Sequence, residues 1–292
     1  MKQRKFSTVC MGITLSILSF GVVARAAEVP SGKIDPSNFT TNITNKYFPL
    51  TPGVVYNFET KTSDGTETNK TIVTNLRRDV MGVKTLVVWD RVWLDGNLVE
   101  ETYDWYAQNK TTGDVWYFGE ESREYEGGKV SSTHGSWEGG INAARPGIIM
   151  KANPKVGDSY YQEYLKGEAE DQVEVLALNE KVSVPYGTFE NCLKTKDYTL
   201  LDPQNVENKY YCPTAGGLTL TIKVSSGEKD GLMSKTINSD FVGLSANGNT
   251  DDDLVASDDS YALIMIIVAI ALLGILAGIG LDRFVINQPK QS

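Results

Sequence analysis

The chain has 292 residues, a net charge of −9 at pH 7 and 41% hydrophobic residues. An acidic surface repels phosphate groups, so we expect neither nucleic acid nor anionic lipid headgroups as partners. A single histidine and three cysteines are too few for a zinc or copper site of the usual kind. No motif indicates another metal or a cofactor.

The N-terminal segment has the pattern of a secretory signal peptide. Basic residues at the start precede an apolar run over residues 6–24, and small residues around Arg25 form a cleavage pattern that ends at Ala26. Residues 1–26 are therefore predicted to be removed during export, with a retained anchor as the alternative.

A second apolar segment lies near the C-terminus. Residues 263–281 carry no charged side chain, and about 20 apolar residues cross a hydrocarbon core of ~30 Å. We therefore predict a single transmembrane helix over residues 261–281 and a cytoplasmic tail over residues 282–292, with a buried core helix as the alternative. The chain would then lie in the cell membrane with its bulk outside the cytoplasm, at the cell surface or in a periplasm.

The predicted membrane helix also contains a pair of small residues. Gly274 and Gly278 have the G-x-x-x-G spacing that allows two helices to approach closely. A homodimer through this pair is one interpretation. The other is that membrane helices are commonly rich in glycine.

After a short polar lead over residues 27–50, the hydrophobic pattern is typical of β-strands. Apolar and polar residues alternate with period two from Val54 onward, and Asp95-Gly96 between two such runs indicates a type I′ hairpin. Runs of this kind at hairpin spacing predict one antiparallel β domain over residues 51–224. The expected fold class is all-β, an antiparallel curved sheet or half-barrel, with the single C-terminal transmembrane helix.

Two segments break the alternating pattern. Residues 131–157 are rich in glycine and proline, so we expect a long loop, and loops of this length are often functional. Residues 225–260 lose hydrophobic content and end in an aspartate-rich run, which predicts a flexible acidic stalk. One last strand near residues 238–242 is compatible with the sequence of this stalk.

Two cysteines remain after the signal peptide is removed. In an exported domain, an even pair of cysteines commonly forms a disulfide. Cys192 and Cys212 are therefore predicted to be bridged. Two buried free thiols are the alternative in an anaerobic compartment.

Aromatic side chains fall on three successive predicted strands. Residues of matching parity on neighbouring strands share a face, so these side chains either pack as core or line an apolar cavity inside a curved sheet. The candidate ligand-binding residues are Trp89, Trp105, Tyr106, Trp116 and Phe118. An amphiphile would suit such a cavity, because Trp and Tyr also form hydrogen bonds to a polar ligand group.

Acidic residues accompany the aromatic ones. Two facing carboxylates act as acid and base in glycoside hydrolysis, whereas acidic residues on outward strand faces only contact solvent. The residues concerned are Glu100, Glu101, Asp104, Glu120 and Glu121. No pattern fixes a pair at a working separation, and His134 lacks the partners of a catalytic triad, so we assign no catalytic residue.

Several sequence blocks resemble a known group of proteins. The blocks are Asp104-Trp105-Tyr106-Ala107-Gln108, Asp114-Val115-Trp116-Tyr117-Phe118-Gly119-Glu120 and Lys209-Tyr210-Tyr211-Cys212-Pro213. Over roughly residues 45–222, the chain resembles uncharacterised prokaryotic secreted proteins and lipoproteins that carry DWYAQ…VWYFGE and KYY-P blocks. This group is similar to lipoprotein-carrier-like half-barrels, which implies a curved sheet around an apolar cavity.

These features predict a membrane-anchored extracytoplasmic protein that binds an amphiphile or an envelope component and is not an enzyme. One alternative is a surface scaffold or interaction protein whose core is fully packed. The other is a carboxylate-dependent hydrolase. A cavity in the interior distinguishes the binding protein from the scaffold.

Overall fold

Sixteen β-strands form one antiparallel sheet in the structure, a computed structural model that describes residues 33–241 together with Ala27, Val29 and Pro30. Apart from two 3₁₀ turns at Pro36–Asn38 and Ser239–Phe241, the described residues contain no helix. The strands are β1 (Phe39–Thr40), β2 (Val54–Lys61), β3 (Thr66–Val80), β4 (Val83–Leu94), β5 (Asn97–Asn109), β6 (Val115–Glu126), β7 (Lys129–Ser132), β8 (Trp137–Glu138), β9 (Arg145–Met150), β10 (Ser159–Tyr161), β11 (Glu163–Tyr164), β12 (Asp171–Val184), β13 (Gly187–Thr199), β14 (Val206–Cys212), β15 (Gly217–Lys223) and β16 (Lys229–Ile237).

The strand order brings the two ends of the sheet together. The order runs β10-β12-β13-β14-β15-β16-β2-β3-β4-β5-β6-β9-β11, so β10 and β11 are its outermost strands. In the chain they are separated by Gln162 alone, whose backbone N–H donates to the Asp171 carbonyl at 2.8 Å. Residues 159–164, the closing segment, therefore pair with β12 on one side and with β9 on the other. The sheet is consequently a nearly closed barrel.

The bend in the closing segment requires a glycine opposite it. Gly147 on β9 lies so close to Gln162 that an added Cβ would be 2.4 Å from the Gln162 carbonyl carbon and oxygen. The Tyr161 carbonyl oxygen would be 2.6 Å from the same Cβ. All three atoms belong to the backbone, so no side chain can rotate away to make room. Any larger residue at this position forces the two strands apart.

Side chains alternate between the barrel interior and its outer face, as the period of a β-strand requires. An interior cluster consists of apolar side chains from strands all round the barrel. Its members include Phe58, Leu86, Val88, Val175 and Leu193. A second cluster covers the outer face of β4, β5 and β6, with contributions from the N-terminal segment. Its members include Phe39, Val87, Tyr103, Trp105 and Phe118.

Residues 41–50, within the segment predicted as a polar lead, fold over the interior cluster as a cap. The buried side chain of Asn45 holds this cap in place. Its amide nitrogen donates to the Lys151 carbonyl at 3.3 Å, and its side-chain oxygen accepts from the Tyr47 backbone N–H at 2.9 Å. Local polar bonds therefore fix the backbone while the neighbouring apolar side chains enter the barrel.

The hairpin predicted at Asp95-Gly96 is confirmed. Asp95 has a φ of 47° and Gly96 a φ of 82°, as a type I′ turn requires. The turn between β3 and β4 has the same geometry, with φ values of 53° at Met81 and 78° at Gly82. Sequence analysis did not predict this second turn, because methionine is not a residue that favours positive φ.

The predicted fold class is corrected. Its all-β, antiparallel part is confirmed. The half-barrel is wrong, because the closing segment joins the two ends of the sheet and nearly closes the barrel. The described residues also contain no helix that is long and apolar enough to cross a membrane. The helix predicted over residues 261–281 lies outside the described residues, as do Gly274, Gly278, the signal peptide over residues 1–26 and the tail.

Two segments predicted to be irregular contain strands of the barrel. Residues 131–157, predicted as a loop, contain β8 and β9, and β9 is the strand that meets the closing segment. Residues 225–260, predicted as an acidic stalk, contain β16, which lies between β15 and β2. The fully buried Leu232 explains the second difference, since this residue packs opposite Phe58 while the other large apolar side chains of the strand, Met233 and Ile237, are exposed.

The predicted disulfide is confirmed. Cys192 on β13 and Cys212 on β14 are bonded, with a sulfur–sulfur distance of 2.08 Å. Both residues are completely buried in the interior cluster. The bridge therefore links two neighbouring strands from within the barrel.

Candidate functional site

A cavity of about 170 Å³ lies inside the barrel, next to the cap. Apolar and aromatic side chains form most of its wall. They include Phe48, Leu50, Phe58, Val88, Tyr106 and Leu218. The remaining wall is polar, with the side chains of Thr71, Asp90 and Asp104. The cavity is therefore amphipathic, with its acidic groups grouped on β4 and β5.

Strand register places these acidic groups side by side. Asp90 on β4 is paired with Thr71 on β3, and Asp104 on β5 is paired with Val88 on β4. Residues directly opposite in antiparallel strands share a face, and residues two apart on one strand do too. Both carboxylates therefore point into the interior, on the same face as Val88 and Tyr106.

A bulge on β6 adds further interior groups. Trp105 is paired with Gly119 and Tyr106 with Tyr117, so Phe118 is an extra residue on β6. Such a residue reverses the inside–outside alternation beyond it. As a result, both Tyr117 and Glu120 face the interior, although their sequence separation is odd. Tyr117 stacks on Tyr106 there, with ring centroids 4.8 Å apart.

The two carboxylates of the cavity accept hydrogen bonds from neutral donors. Asp90 accepts from the Asn69 amide at 2.7 Å and from the Thr71 hydroxyl at 2.6 Å, whereas Asp104 accepts from the Tyr117 hydroxyl at 2.6 Å. Burial raises the pKa of Asp90 to about 6 in spite of its hydrogen bonds. Burial and the nearby charge of Asp90 raise the pKa of Asp104 to about 7, against the effect of the Tyr117 bond.

Further carboxylates continue round the interior from Asp104. Glu120 is its register partner on β6, and burial together with the charges of Asp104 and Glu163 raises the pKa of Glu120 well above its usual value. Burial and the charge of Asp171 raise the pKa of Glu163 to about 8, although the Trp137 indole N–H donates to this carboxylate at 2.6 Å. The barrel interior is therefore strongly acidic.

Lysine compensates this acidity at one place. The Lys209 Nζ lies 3.4 Å from the Asp197 carboxylate and 3.6 Å from that of Glu207. Burial lowers the pKa of Lys209, but these two carboxylates outweigh burial and raise it well above its usual value. In the described part of the chain, no lysine, arginine or histidine nitrogen lies within 4.0 Å of the Asp90 or Asp104 carboxylate.

The structure separates the five predicted ligand-binding residues. Tyr106 alone lines the interior cavity. Trp105 and Phe118 are buried in the outer cluster with Phe39, and Trp89 packs against that cluster, stacked on Tyr103 with ring centroids 5.9 Å apart. These side chains are separated from Tyr106 by the sheet itself. Their binding of a ligand stays a prediction.

Trp116, the fifth of these residues, lines a groove of about 360 Å³ on the outside of the barrel. Ile34, Met81, Pro146 and Arg145 form other parts of the groove. The N-terminal segment contributes to one side of it, because the Arg145 guanidinium donates to the Pro30 carbonyl at 3.1 Å. The groove and the interior cavity are therefore two separate concave sites.

The acidic residues singled out in the sequence also divide between the two faces. Asp104 and Glu120 face the interior, where burial raises the pKa of each, whereas Glu100 lies on the same face of β5 but is exposed. Glu101 lies on the outer face and accepts from the Trp89 indole N–H and the Tyr125 hydroxyl, each at 3.0 Å. Asp104 and Glu101 therefore cannot act together on one substrate.

Sequence analysis missed Asp90, Trp137 and Glu163 as interior residues, and it grouped Tyr117 with aromatic residues that lie on the outer face. Period-two alternation on β4 was a usable signal for Asp90, because it lies two residues from the buried Val88. Alternation does not predict that Tyr117 and Glu120 both face the interior, because the bulge lies between them. Glu163 lies on a strand of two residues, which is too short for any periodicity. His134 is exposed, with its Nε2 3.6 Å from the Glu168 carboxylate.

The described residues contain no group of three or more His, Cys, Asp or Glu side chains arranged to hold a metal ion. A scan against models of protein families finds no match, and a search of curated proteins finds none either. Among solved structures, the chain is similar to the crystal structure of a putative lipoprotein from Parabacteroides distasonis, with 13% identity, a TM-score of 0.35 and coverage of 65% of this chain and 97% of that chain.

Proposed function

We propose that this chain is an extracytoplasmic binding protein and that the apolar part of a small ligand occupies the interior cavity. The observation that carries the proposal is a cavity of about 170 Å³ with aromatic and apolar walls inside an otherwise packed barrel. The predicted signal peptide and the disulfide are consistent with a position outside the cytoplasm. Membership of the secreted-protein group that the chain resembles is part of this proposal.

The size of the cavity limits what it accepts. An engineered apolar cavity of about 150 Å³ binds benzene, so this cavity accommodates a group of similar size. A complete lipid chain is too large, whereas one compact end of an amphiphile or of an envelope component fits. Ligand pockets for larger molecules measure about 300–1,000 Å³. The proposal is therefore restricted to small ligands or to small terminal groups.

Filling the cavity tests the proposal. Val88→Phe adds a ring to the cavity wall, so we expect it to abolish the binding of benzene or benzyl alcohol, measured by ligand-detected NMR or calorimetry. Overpacking a core costs about 1–3 kcal/mol by itself, so a matched control is needed. Val87→Phe provides it, because Val87 is the equally buried neighbour that faces the outer cluster. It should destabilise the fold similarly and leave binding intact.

The outcomes separate the binding protein from the scaffold. Loss of binding in Val88→Phe with retention in Val87→Phe supports an occupied interior. If the unmodified chain binds neither probe, the interior is closed to ligands and the proposal is wrong. The scaffold with a packed core is then the better description.

A carboxylate-dependent hydrolase is the second candidate, favoured by one specific observation. Asp104 and Glu120 are directly opposed in register, and burial raises the pKa of both. Such opposed residues have Cβ atoms about 4.5–5.5 Å apart, and retaining glycosidases hold their carboxyl groups about 5 Å apart. Turnover of a chromogenic aryl glycoside that Asp104→Asn abolishes would support this candidate, and absence of turnover in the unmodified chain excludes that reaction.

A further inference from the structure

We infer that the ligand carries an ammonium group, and that this cation binds in the interior cavity against the carboxylates of Asp90 and Asp104 while its apolar body contacts the aromatic wall. The inference rests on the proposed function, since it requires that the cavity is a ligand site. It adds the charge and the chemical class of the ligand. Three observations on the wall of the cavity support it.

The first observation is the lack of a counter-charge at the two carboxylates. Their hydrogen-bond donors are all neutral, namely Asn69, Thr71, Tyr117 and Tyr106. Lys235, whose ammonium lies over the ring of Tyr56 beside the cavity, donates to the Ala215 carbonyl at 3.2 Å and reaches neither carboxylate within 4.0 Å. A carboxylate offers about four acceptor positions, so both groups retain capacity for the N–H donors of a ligand.

The second observation is the sign of the surrounding charge. Asp90 and Glu100 add to the negative potential at Asp104, and Glu100 and Asp230 add to it at Asp90. The interior lysine Lys209 is already paired with two other carboxylates. An anionic ligand would be repelled from this cavity. A cation gains both from the two carboxylates that it contacts and from the field of the others.

The third observation is the aromatic character of the rest of the wall. Phe48, Tyr56, Phe58 and Tyr106 line the cavity, and the faces of such rings attract cations. A divalent metal ion needs about six to eight oxygen ligands, which a wall of this composition does not supply. The Lys235 ammonium already lies 5.5 Å from the Tyr56 ring centroid at the edge of this wall. An organic ammonium with a compact apolar body therefore fits the cavity better than an inorganic cation.

Three probes of nearly equal size test the inference on the purified full-length chain. Benzylamine supplies the cation, benzyl alcohol the neutral form and benzoate the anion. At about pH 8, where most of the Asp90 and Asp104 side chains are ionised, we expect benzylamine to bind about tenfold more tightly than benzyl alcohol or better. We expect no binding of benzoate. Isothermal titration calorimetry measures all three affinities.

Variants show which carboxylates are responsible for the preference for benzylamine. Asp90→Asn and Asp104→Asn remove one charge each with little change of shape. Each should lower the affinity for benzylamine by about tenfold and change the affinity for benzyl alcohol by less than about twofold. Asp79→Asn is the control, since Asp79 is an exposed carboxylate on β3. It should leave all three affinities unchanged.

The outcomes distinguish this inference from the proposed function. If benzyl alcohol binds and benzylamine binds no more tightly, the ammonium is not recognised and the inference is wrong, while the proposed function stands. If Ca²⁺ binds with the same dependence on Asp90 and Asp104 and displaces benzylamine, the site is an inorganic cation site and the inference is also wrong. If no probe binds, the inference and the proposed function both fail.

Discussion

Asp104 shows how the surroundings of one side chain combine two opposing effects. Its carboxylate accepts a short bond from the Tyr117 hydroxyl, which favours the ionised form. Burial in the barrel and the charge of Asp90 favour the protonated form, and they outweigh the bond, so the pKa rises to about 7. A carboxyl group with such a pKa changes its charge near neutral pH, and both the stability of the fold and the affinity for a cation then depend on pH.

We predict that the free protein loses stability as the pH rises from about 4 to about 8. Folding raises the pKa of Asp90 to about 6, of Asp104 to about 7 and of Glu163 to about 8. Unfolded carboxyl groups have pKa values near 4, so in this range the folded state binds more protons than the unfolded state. The loss of those protons therefore destabilises the fold. A higher melting temperature at pH 8 than at pH 5 would contradict this argument.

Asp104→Asn identifies the contribution of one group. The variant keeps the shape of the side chain but cannot ionise, so its melting temperatures at the two pH values should differ less than those of the unmodified protein. Each 1 kcal/mol corresponds to roughly 2–4 °C in a domain of this size. Asp79→Asn should leave the pH dependence as it is, because Asp79 is exposed.

Part of this site could be predicted from the sequence. Alternation on β5 places Asp104 and Tyr106 on one face and Trp105 on the other, as observed. The same argument fails on β6, because the bulge at Phe118 inserts a residue and no sequence pattern fixes its position. The aromatic residues predicted as one group belong to two faces of the sheet, because Trp105 and Tyr106 are adjacent on β5 and point in opposite directions.

At the scale of elements, the bulge on β6 and the bend at Gln162 are the irregularities that shape the interior. The bulge turns both Tyr117 and Glu120 inward. The bend allows one segment of the chain to pair in two directions and brings Glu163 into the barrel, where it accepts from Trp137. Regular alternation predicts neither feature, and the half-barrel was implied by the resemblance to lipoprotein-carrier-like proteins.

Gly147→Ala tests the bend. The added Cβ would meet backbone atoms of Gln162 and Tyr161, so we expect a loss of about 1–3 kcal/mol in the free energy of unfolding, measured by urea denaturation. Gly231→Ala on β16 is the control, because a Cβ there comes no closer than 3.5 Å to any neighbour. Equal stability of the two variants would show that the closing segment adapts to a larger residue.

At the scale of the whole molecule, the two ends of the described chain meet in the sheet. β16, near the end of the described residues, pairs with β2, near their start, and with β15. All strands between them in the chain lie elsewhere round the barrel. The order of the strands therefore depends on a pairing between residues about 175 positions apart, which local sequence patterns do not encode. This distance explains why residues 225–260 were predicted to be a stalk.

Truncation tests the role of β16. A chain that ends at residue 224, the predicted boundary of the β domain, leaves β2 and β15 without their partner. We expect it to lack a cooperative thermal transition in circular dichroism. A chain that ends at residue 241 retains every described strand and should keep the transition. Cooperative unfolding of the shorter chain with an unchanged midpoint would mean that β16 is dispensable.

Few residue pairs hold the closing segment in the wall of the barrel. Three residue pairs hold it to β12 and two hold it to β9, whereas the two strands that follow β12 in the sheet, β13 and β14, are crosslinked by the disulfide. Releasing these few pairs parts the wall at Gln162 and leaves the crosslinked strands assembled. We therefore expect the barrel to open locally at Gln162 without global unfolding, and amide hydrogen exchange at residues 159–164 should be faster than on β13 and β14.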